Sequence, residues 1–162
     1  MLLLLKDGEI IDNPWIVIEN NLPTSLPDYP ILSQTLLSTL DNIDKIHQPL
    51  GVLLPCDQDI EHLRPYLEKL SLIVLEFPSF KDGRAFSQAR QIREHLKFTG
   101  ELRAIGHILP DQYQFLTRVG FTTILIPDNA NIASWKENRQ HFTIGFQSSV
   151  LKEPKQGLVR KL

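Results

Sequence analysis

Between residues 51 and 142 the sequence passes four times from a short, nearly continuous apolar run to a segment whose apolar residues recur at helical spacing. The four runs are residues 51–54, 72–77, 102–108 and 121–126. Strands that are buried on both faces lose the alternation of apolar and polar residues, so this pattern is typical of a parallel sheet covered by helices. The sequence therefore predicts an α/β fold, and it leaves open whether the sheet is open or curls like part of a barrel.

The segments around these runs predict the helices. Asp57 or Asp59 can cap a helix after the first run, and Pro65 lies inside that helix, so we expect a kink. The other helices are expected at residues 33–40, 86–96, 110–119 and 132–142. Trp135 is expected on the buried side of the last helix.

The first 30 residues follow a different pattern. Asp7 and Gly8 separate two apolar runs, and an Asp-Gly pair in this position favours a tight β-hairpin because glycine readily accepts positive φ. A third strand is expected at residues 15–19, before a connector that contains three prolines. We expect one domain over residues 1–146, made of an N-terminal β-hairpin or meander over 1–20, a connector over 21–30 and βα repeats over 31–146. A short further strand at 143–146 and a C-terminal tail over 147–162 are also expected.

Length and composition exclude several classes of protein. With 162 residues, of which 42% are hydrophobic, the chain can form one buried core and is too apolar for wholesale disorder. Its net charge of −2 is too balanced for a protein that binds nucleic acid by neutralising phosphates. The single cysteine favours a reducing compartment, and neither a signal peptide nor an apolar run of membrane-spanning length is visible. We therefore expect a cytoplasmic protein that binds neither nucleic acid nor membranes.

In a parallel sheet the carboxyl ends of the strands meet at one edge, where α/β proteins usually bind ligands. One turn expected at this edge contains Lys81, Asp82, Gly83 and Arg84, and it leads directly into a helix. The first N–H groups of a helix and its positive dipole end favour anions, so this turn predicts a site for phosphate, sulfite or a carboxylate. In the alternative interpretation, Asp82 caps the helix and Arg84 pairs with a neighbouring carboxylate.

Arg103 lies within an apolar strand, where an unpaired charge would cost several kcal/mol in lost hydration. Glu101 is two residues away on the same face, and Asp82 or Asp111 could approach from adjoining turns. We expect either a structural ion pair or a contribution of Arg103 to the anion site.

Further candidates follow the same strand. His107 lies at its end, and an imidazole can gain or lose a proton near neutral pH, as acid-base catalysis requires. Asp111 and Gln112 open the next helix, where Asp111 could equally be a cap. His107 and Asp111 are therefore the catalytic candidates, and Gln112 is a binding candidate.

The sequence contains no recognisable motif for a metal or a cofactor. Its five histidines are dispersed, and one cysteine excludes a cysteine-rich zinc or iron–sulfur site. Glycine-rich loops of the phosphate-binding or dinucleotide-binding type are missing. We therefore predict no metal site and assign no cofactor. Cys56 has no cation beside it in the sequence to lower its thiol pKa, which disfavours a nucleophilic role.

Several motifs together resemble one known family. They are Leu75-Glu76-Phe77-Pro78, Asp82-Gly83-Arg84, Ala89-Arg90, Gly100-Glu101-Leu102-Arg103-Ala104, Asp111-Gln112 and Arg118-Val119-Gly120-Phe121. In these motifs, and in the Lys6-Asp7-Gly8 turn, the chain resembles the bacterial domain of unknown function 934 over most of residues 1–146. It departs from that family at His107, where members commonly carry an acidic residue.

The resemblance implies an oxidoreductase or an accessory protein associated with assimilatory sulfite or nitrite reductases, and it assigns no catalytic residue. We therefore expect an accessory protein of sulfite reduction that docks on the reductase or holds a small anion near Lys81, Arg84 and Arg103.

Two alternatives stay open. The first is a small enzyme that binds a phosphorylated or carboxylated metabolite, with Arg84 as a clamp and His107 or Asp111 as the acid-base group. The second is a non-catalytic interaction module that uses the basic tail. An exposed edge strand would also be compatible with a homodimer.

Overall fold

The computed structural model of the chain describes residues 2–40, 43, 46–139 and 149–150. Within these residues eight strands form one sheet: β1 (Leu2–Lys6), β2 (Glu9–Ile11), β3 (Ile16–Ile18), β4 (Pro30–Ser33), β5 (Leu50–Leu54), β6 (Leu70–Phe77), β7 (Glu101–Gly106) and β8 (Thr123–Pro127). Their order across the sheet is β2-β1-β8-β7-β6-β5-β4-β3. Strands β3 to β8 are parallel, whereas β1 is antiparallel to both β8 and β2. The predicted α/β class with a mostly parallel sheet is confirmed.

Helices connect these strands. The described part of the chain contains the α-helices α1 (Gln34–Ser38), α2 (Arg84–Glu94), α3 (Tyr113–Arg118) and α4 (Ile132–Asn138), and 3₁₀ helices at Ile60–Tyr66 and Pro110–Gln112. Each predicted helix has a counterpart, with one difference in type. The helix after β5 is 3₁₀ rather than a kinked α-helix, and Pro65 lies inside it without an N–H to donate. Residues 140–142 of the last predicted helix, the strand predicted at 143–146 and most of the tail lie outside the described residues.

The N-terminal hairpin forms as predicted, but the third strand does not extend it into a meander. Asp7 and Gly8 adopt φ values of 53° and 83°, as a two-residue hairpin loop requires. Strand β3 lies at the opposite edge of the sheet and runs parallel to β4. The first three strands therefore form the two edges of one sheet.

This placement requires the sheet to curl. In a flat sheet with strands about 4.8 Å apart, β2 and β3 would be separated by about 34 Å. The chain that joins Ile11 to Ile16 spans five residue steps and reaches at most about 18 Å. The sheet must therefore bend through about half a circle, which makes it a half-barrel. Residues 12–15, which we call the strap, cross its open side.

The two faces of the half-barrel are covered differently. Helix residues such as Leu37, Ile92 and Trp135 join the main apolar core on the convex face. The concave face has a smaller cluster, in which Trp15 of the strap packs against the buried residues Ile31, Leu72 and Val74. Within the described residues, helices therefore cover the outside of the half-barrel, and the strap covers part of the inside.

The hairpin turn is held by the end of the last described helix. Arg139 Nη2 lies 2.6 Å from Asp7 Oδ1, and Lys136 Nζ lies 2.8 Å from Glu9 Oε1. The backbone N–H of Gly8 donates to the hydroxyl oxygen of Tyr113 at 2.8 Å. The first and last elements of the described chain are thus in direct contact.

Among the described residues, none of the helices combines the length and the apolar character needed to cross a bilayer.

Candidate functional site at the carboxyl edge of the sheet

The turns after β5, β6 and β7 meet at the carboxyl edge, as expected for neighbouring parallel strands. The Cys56 thiol lies 3.8 Å from Asp82 Oδ2, which joins the first two turns. The Gln112 side chain donates from Nε2 to the Phe80 carbonyl at 3.3 Å, which joins the second and third. Five of the sequence-predicted positions, Lys81, Asp82, Gly83, Arg84 and Gln112, therefore lie in one connected region.

Asp82 and Arg84 form the strongest interaction of this region. Arg84 Nη2 donates to Asp82 Oδ2 at 2.6 Å and Nε donates to Oδ1 at 3.0 Å, which is the forked geometry of a charge-assisted pair. The Arg84 backbone N–H also donates to Asp82 Oδ1 at 3.1 Å. The predicted alternative, a carboxylate that caps the helix start and pairs with the arginine, is thus observed.

The pairing shifts the ionisation of both groups. Hydrogen bonds from the Arg84 side chain, and then from its backbone, lower the pKa of Asp82 to about 2. The same carboxylate raises the pKa of Arg84 above its ordinary value. Any anion that binds Arg84 must compete with a carboxylate that is ionised at every physiological pH.

Lys81 has no such partner among the described side chains. It is exposed, and its Nζ lies 5.6 Å from the centroid of the Phe80 ring. The first turn of α2 contains no acidic residue, and Gly83 provides no side-chain cap. The predicted cationic helix start therefore exists, but only Lys81 contributes a charge without a carboxylate.

Cys56 follows β5 and is half-buried. Its burial raises the thiol pKa; the Arg84 charge opposes this shift, and the Asp82 charge adds to it. The fold thus brings the Arg84 cation toward Cys56, which the sequence did not show. The Asp82 carboxylate contacts both the thiol and the guanidinium, and its negative charge opposes the effect of Arg84 on the thiol. The thiol is held in its protonated form.

Arg103 lies elsewhere. It pairs in the sheet with Val74, three residues before the carboxyl end of β6 at Phe77, so strand geometry puts it about 10 Å from that edge. Its side chain is only 2% exposed, and Nη2 donates to Glu101 Oε1 at 2.7 Å. Burial lowers the Arg103 pKa despite the nearby carboxylate. Of the partners considered in the sequence, Glu101 is the one observed.

Two further groups complete the surroundings of Arg103. Asn13 Oδ1 of the strap accepts from Arg103 Nη1 at 3.0 Å. The Thr123 hydroxyl of β8 donates to Glu101 Oε1 at 2.6 Å. The guanidinium therefore belongs to a buried network on the concave face and is not brought together with Lys81 and Arg84.

His107 and Asp111 lie at the carboxyl edge but are not joined to the Asp82–Arg84 pair. Both are exposed. The His107 backbone N–H donates to the Phe77 carbonyl at 2.8 Å. Among the described residues, no side chain forms a hydrogen bond or an ion pair with the imidazole. Their roles as acid-base groups stay predictions.

Sequence reasoning missed two glutamine contacts that organise this edge. Gln88 is buried on α2 and donates from Nε2 to the carbonyls of Pro55 and Gln58 at 3.0 and 2.8 Å, which holds the Cys56 turn. Gln112 accepts from the Leu109 backbone N–H while it donates to Phe80. The only signal for Gln88 was a polar residue on a helix face shared with Ala85, Ala89 and Ile92.

A cleft of about 660 Å³ lies at the opposite, amino edge of the sheet. Its walls include Arg64, Ser71, Lys97 and Gly100, from the 3₁₀ helix and the turns before β6 and β7. No sequence-predicted site residue lines it. Within the described ranges, no three His, Cys, Asp or Glu side chains are grouped so that they could hold a metal ion.

Comparison with known proteins gives one match. The sequence model of the family described as bacterial protein of unknown function, DUF934, matches residues 51–156. The match begins at β5 and so extends less far toward the N-terminus than the resemblance over residues 1–146 implied. No curated protein matches the chain.

Proposed function

Because the chain belongs to the bacterial family of unknown function DUF934, we propose that it is an accessory protein of sulfite reduction that acts by docking on the reductase. The link to sulfite reduction rests on the resemblance to that family. Docking, rather than capture of sulfite, is the mode that the described contacts support.

The charge arrangement supports this choice of mode. Of the three cations predicted to hold an anion, Arg84 is paired with Asp82 and Arg103 is buried against Glu101. Only Lys81 is exposed without a carboxylate partner, and one solvated lysine binds a small anion poorly. A sulfite ion that bound Arg84 at this edge would have to displace the Asp82 carboxylate from a charge-assisted pair.

The observation that carries the proposal is an apolar surface at the same edge, which we call the carboxyl-edge patch. It consists of Phe80, Leu109 and Phe115, which are 51%, 43% and 57% exposed. The Gln112 amide bonds to the backbones of Phe80 and Leu109, and Phe115 lies one helical turn after Gln112. Large apolar side chains that are exposed on an ordered backbone are typical of protein interaction sites.

The first experiment measures the role of the protein in the cell. We expect slower growth on sulfate or sulfite as the sole sulfur source when the protein is removed, and normal growth on cysteine. Equal growth of the deleted and the intact strain on all three sources would contradict the proposal.

The second experiment tests the patch. Replacement of Phe80 and Phe115 by serine should weaken binding to the purified sulfite reductase by at least about tenfold, because exposed aromatic anchors dominate binding energy. The matched control is Ile10→Ser, which removes a side chain of similar exposure, 50%, from β2. Equal binding by the double variant and the wild type would contradict the patch as docking site.

A further inference from the structure

The outer side of β3 is an exposed strand edge with apolar side chains on both faces. Ile16 and Val17 are 52% and 53% exposed, although neighbouring residues of a strand point to opposite faces. Within the described residues β3 pairs only with β4, so its other side has no strand beside it. We call this strand and its free side the β3 edge.

The free backbone groups of this edge belong to Val17. The Ile16 N–H donates to the Tyr29 carbonyl at 2.8 Å, in the direction of β4. Because successive residues of a strand direct their backbone groups to opposite sides, the N–H and C=O of Val17 point away from β4. No lysine and no proline within β3 blocks the approach of another strand, although such residues commonly protect exposed edges.

The surroundings of the β3 edge are acidic. Between Lys6 and Lys45 the sequence contains seven acidic residues and no basic one. Two of the seven, in the hairpin, are neutralised by residues of α4. Asp12, Glu19 and Asp28 flank β3 and the start of β4; they are exposed, and none forms an ion pair with another described residue.

We propose that the β3 edge is a strand-addition site for an extended segment of a partner protein in which lysine or arginine alternates with branched apolar residues. The backbone of that segment bonds to Val17, its apolar side chains cover Ile16 on one face of the sheet, and its cations lie on the other face, near Asp12, Glu19 and Asp28. Main-chain bonds provide affinity in such complexes, and side chains provide specificity. This site is separate from the carboxyl-edge patch, so the inference goes beyond the proposed function.

The test uses a short synthetic peptide of alternating lysine and valine, labelled with a fluorophore, and the full-length chain. Fluorescence polarisation should show saturable binding that weakens as salt is added, since exposed charges are screened. Val17→Pro removes the outward N–H while keeping the bond of Ile16 to Tyr29, and proline is tolerated in this position of an edge strand. It should weaken binding by at least about tenfold.

Charge variants and a blocked peptide separate strand addition from simple attraction. Glu19→Gln with Asp28→Asn should weaken binding, whereas Glu68→Gln, an exposed carboxylate in the amino-edge cleft, should leave it unchanged. A peptide whose valines are replaced by proline keeps its charge but loses the N–H group at every second residue and cannot form a regular strand, so it should not bind. Equal binding of the two peptides would overturn the proposal, as would no binding of the lysine–valine peptide.

Other occupants of the β3 edge have distinct outcomes. If the peptide binds only to a full-length variant with Arg160→Glu and Lys161→Glu, the chain's own tail occupies the β3 edge. The proposal that a partner protein occupies it is then wrong. If the wild type is a dimer that Val17→Pro dissociates, a second copy occupies it. The peptide-binding test and the reductase assay with the Phe80 and Phe115 variants use different residues. Failure of the peptide to bind therefore does not affect the proposed function, and failure of the reductase assay does not affect the β3 edge proposal.

Discussion

Cys56 is the only cysteine of the chain, so a thiol reagent modifies the protein at this one site. The rate of modification therefore reports on the charges beside Cys56, among them Asp82 and Arg84. The thiolate is the reactive form of cysteine, and burial keeps the thiol pKa raised. Asp82→Asn removes a negative charge beside the thiol and leaves the Arg84 cation, so the thiol pKa should fall and alkylation by iodoacetamide at neutral pH should accelerate. Arg84→Ala should slow it. The measurement is the pH dependence of the alkylation rate by mass spectrometry.

Free glutathione under the same conditions controls for the intrinsic reactivity of the reagent. Identical alkylation profiles for the wild type and both variants would show that the charges of Asp82 and Arg84 do not act on Cys56.

Gly106 ends β7 in a backbone conformation with φ of 95°, and a Cβ at this position would collide with the Phe77 carbonyl oxygen. Gly106→Ala therefore requires both a strained φ and a shift of the backbone of β6, and it should lower the free energy of unfolding by about 2–4 kcal/mol. Urea unfolding followed by circular dichroism measures this change.

The matched control is Gly83→Ala, because a Cβ there would meet nothing closer than Phe86 Cδ2 at 3.9 Å. Its effect should stay within about 0.5 kcal/mol. If the two alanine variants unfold at the same urea concentration, the close contact between Gly106 and Phe77 is wrong.

Single residues differed in how well the sequence predicted their contacts. Arg103 had to find a polar partner because the cost of burying an unpaired guanidinium is large, and Glu101 was one of the partners expected. The roles of Gln88 and Gln112 depend on carbonyls more than 20 residues away. Glutamine is common on helix surfaces, so neither position carried a signal of its contact.

At the scale of elements, one arginine joins the end of α2 to two strands. The Arg93 guanidinium donates to the carbonyls of Phe98, Gly100 and Gly120 at 2.7 to 3.0 Å. Arg93 uses Nη1 for Phe98 and Gly100, and Nε and Nη2 for Gly120. A lysine has all its donors on one nitrogen and cannot span these acceptors, so Arg93→Lys should lower the free energy of unfolding by about 2 kcal/mol. Thermal or urea unfolding measures the loss.

Arg90→Lys is the control on the same helix, since Arg90 makes a partly exposed pair with Glu94 at 3.0 Å. Its effect should be below about 0.5 kcal/mol. A loss for Arg93→Lys that is no larger than this would contradict the bridging role.

Elements were predictable where local chemistry decides them. The Asp-Gly pair predicted the hairpin, and the apolar runs predicted β5 to β8 within a few residues. The 3₁₀ helix at Ile60–Tyr66 was expected to be α-helical, because apolar spacing does not distinguish the two types over so short a segment. Of the two arrangements expected for the first 20 residues, the hairpin formed and the meander did not. Strand β3 pairs with β4, a partner that the local sequence does not reveal.

At the scale of the whole molecule, the Arg103 network joins the strap to β7 and β8 across the concave face. Glu101→Ala leaves a guanidinium that is 2% exposed without its carboxylate, and it should cost about 2–4 kcal/mol of folding free energy. Combined with Arg103→Met, the same change should cost less than Glu101→Ala alone, because the buried charge is then also removed. Urea unfolding of the three variants measures both effects.

Glu61→Ala is the control, because the Glu61–Arg64 pair is 50% and 55% exposed and screened by solvent, so its loss should lower the free energy of unfolding far less than Glu101→Ala does. A double variant that is less stable than Glu101→Ala would show that Arg103 contributes through contacts other than the ion pair.

The curl of the sheet illustrates what a sequence alone leaves open. Apolar runs reveal parallel strands, but the bend follows from the four-residue strap only once β2 and β3 are known to be opposite edges. The order of parallel strands was enough to predict that the turns of Cys56, Asp82 and Gln112 meet at the carboxyl edge. Arg103 was grouped with these turns because the sequence did not show how far along β7 it lies or which face of the sheet its side chain occupies.

The antiparallel pairing of β1 with β8 also affects how the protein is made. Leu2 to Lys6 leave the ribosome before the other described strands, yet their partners Thr123 to Pro127 are the last of these strands to be translated. At about 5–20 residues per second, the nascent chain waits about 6–25 s for them. A lone hairpin is marginal in water, so its leucines stay uncovered during that interval, and biosynthesis depends on keeping them from aggregating.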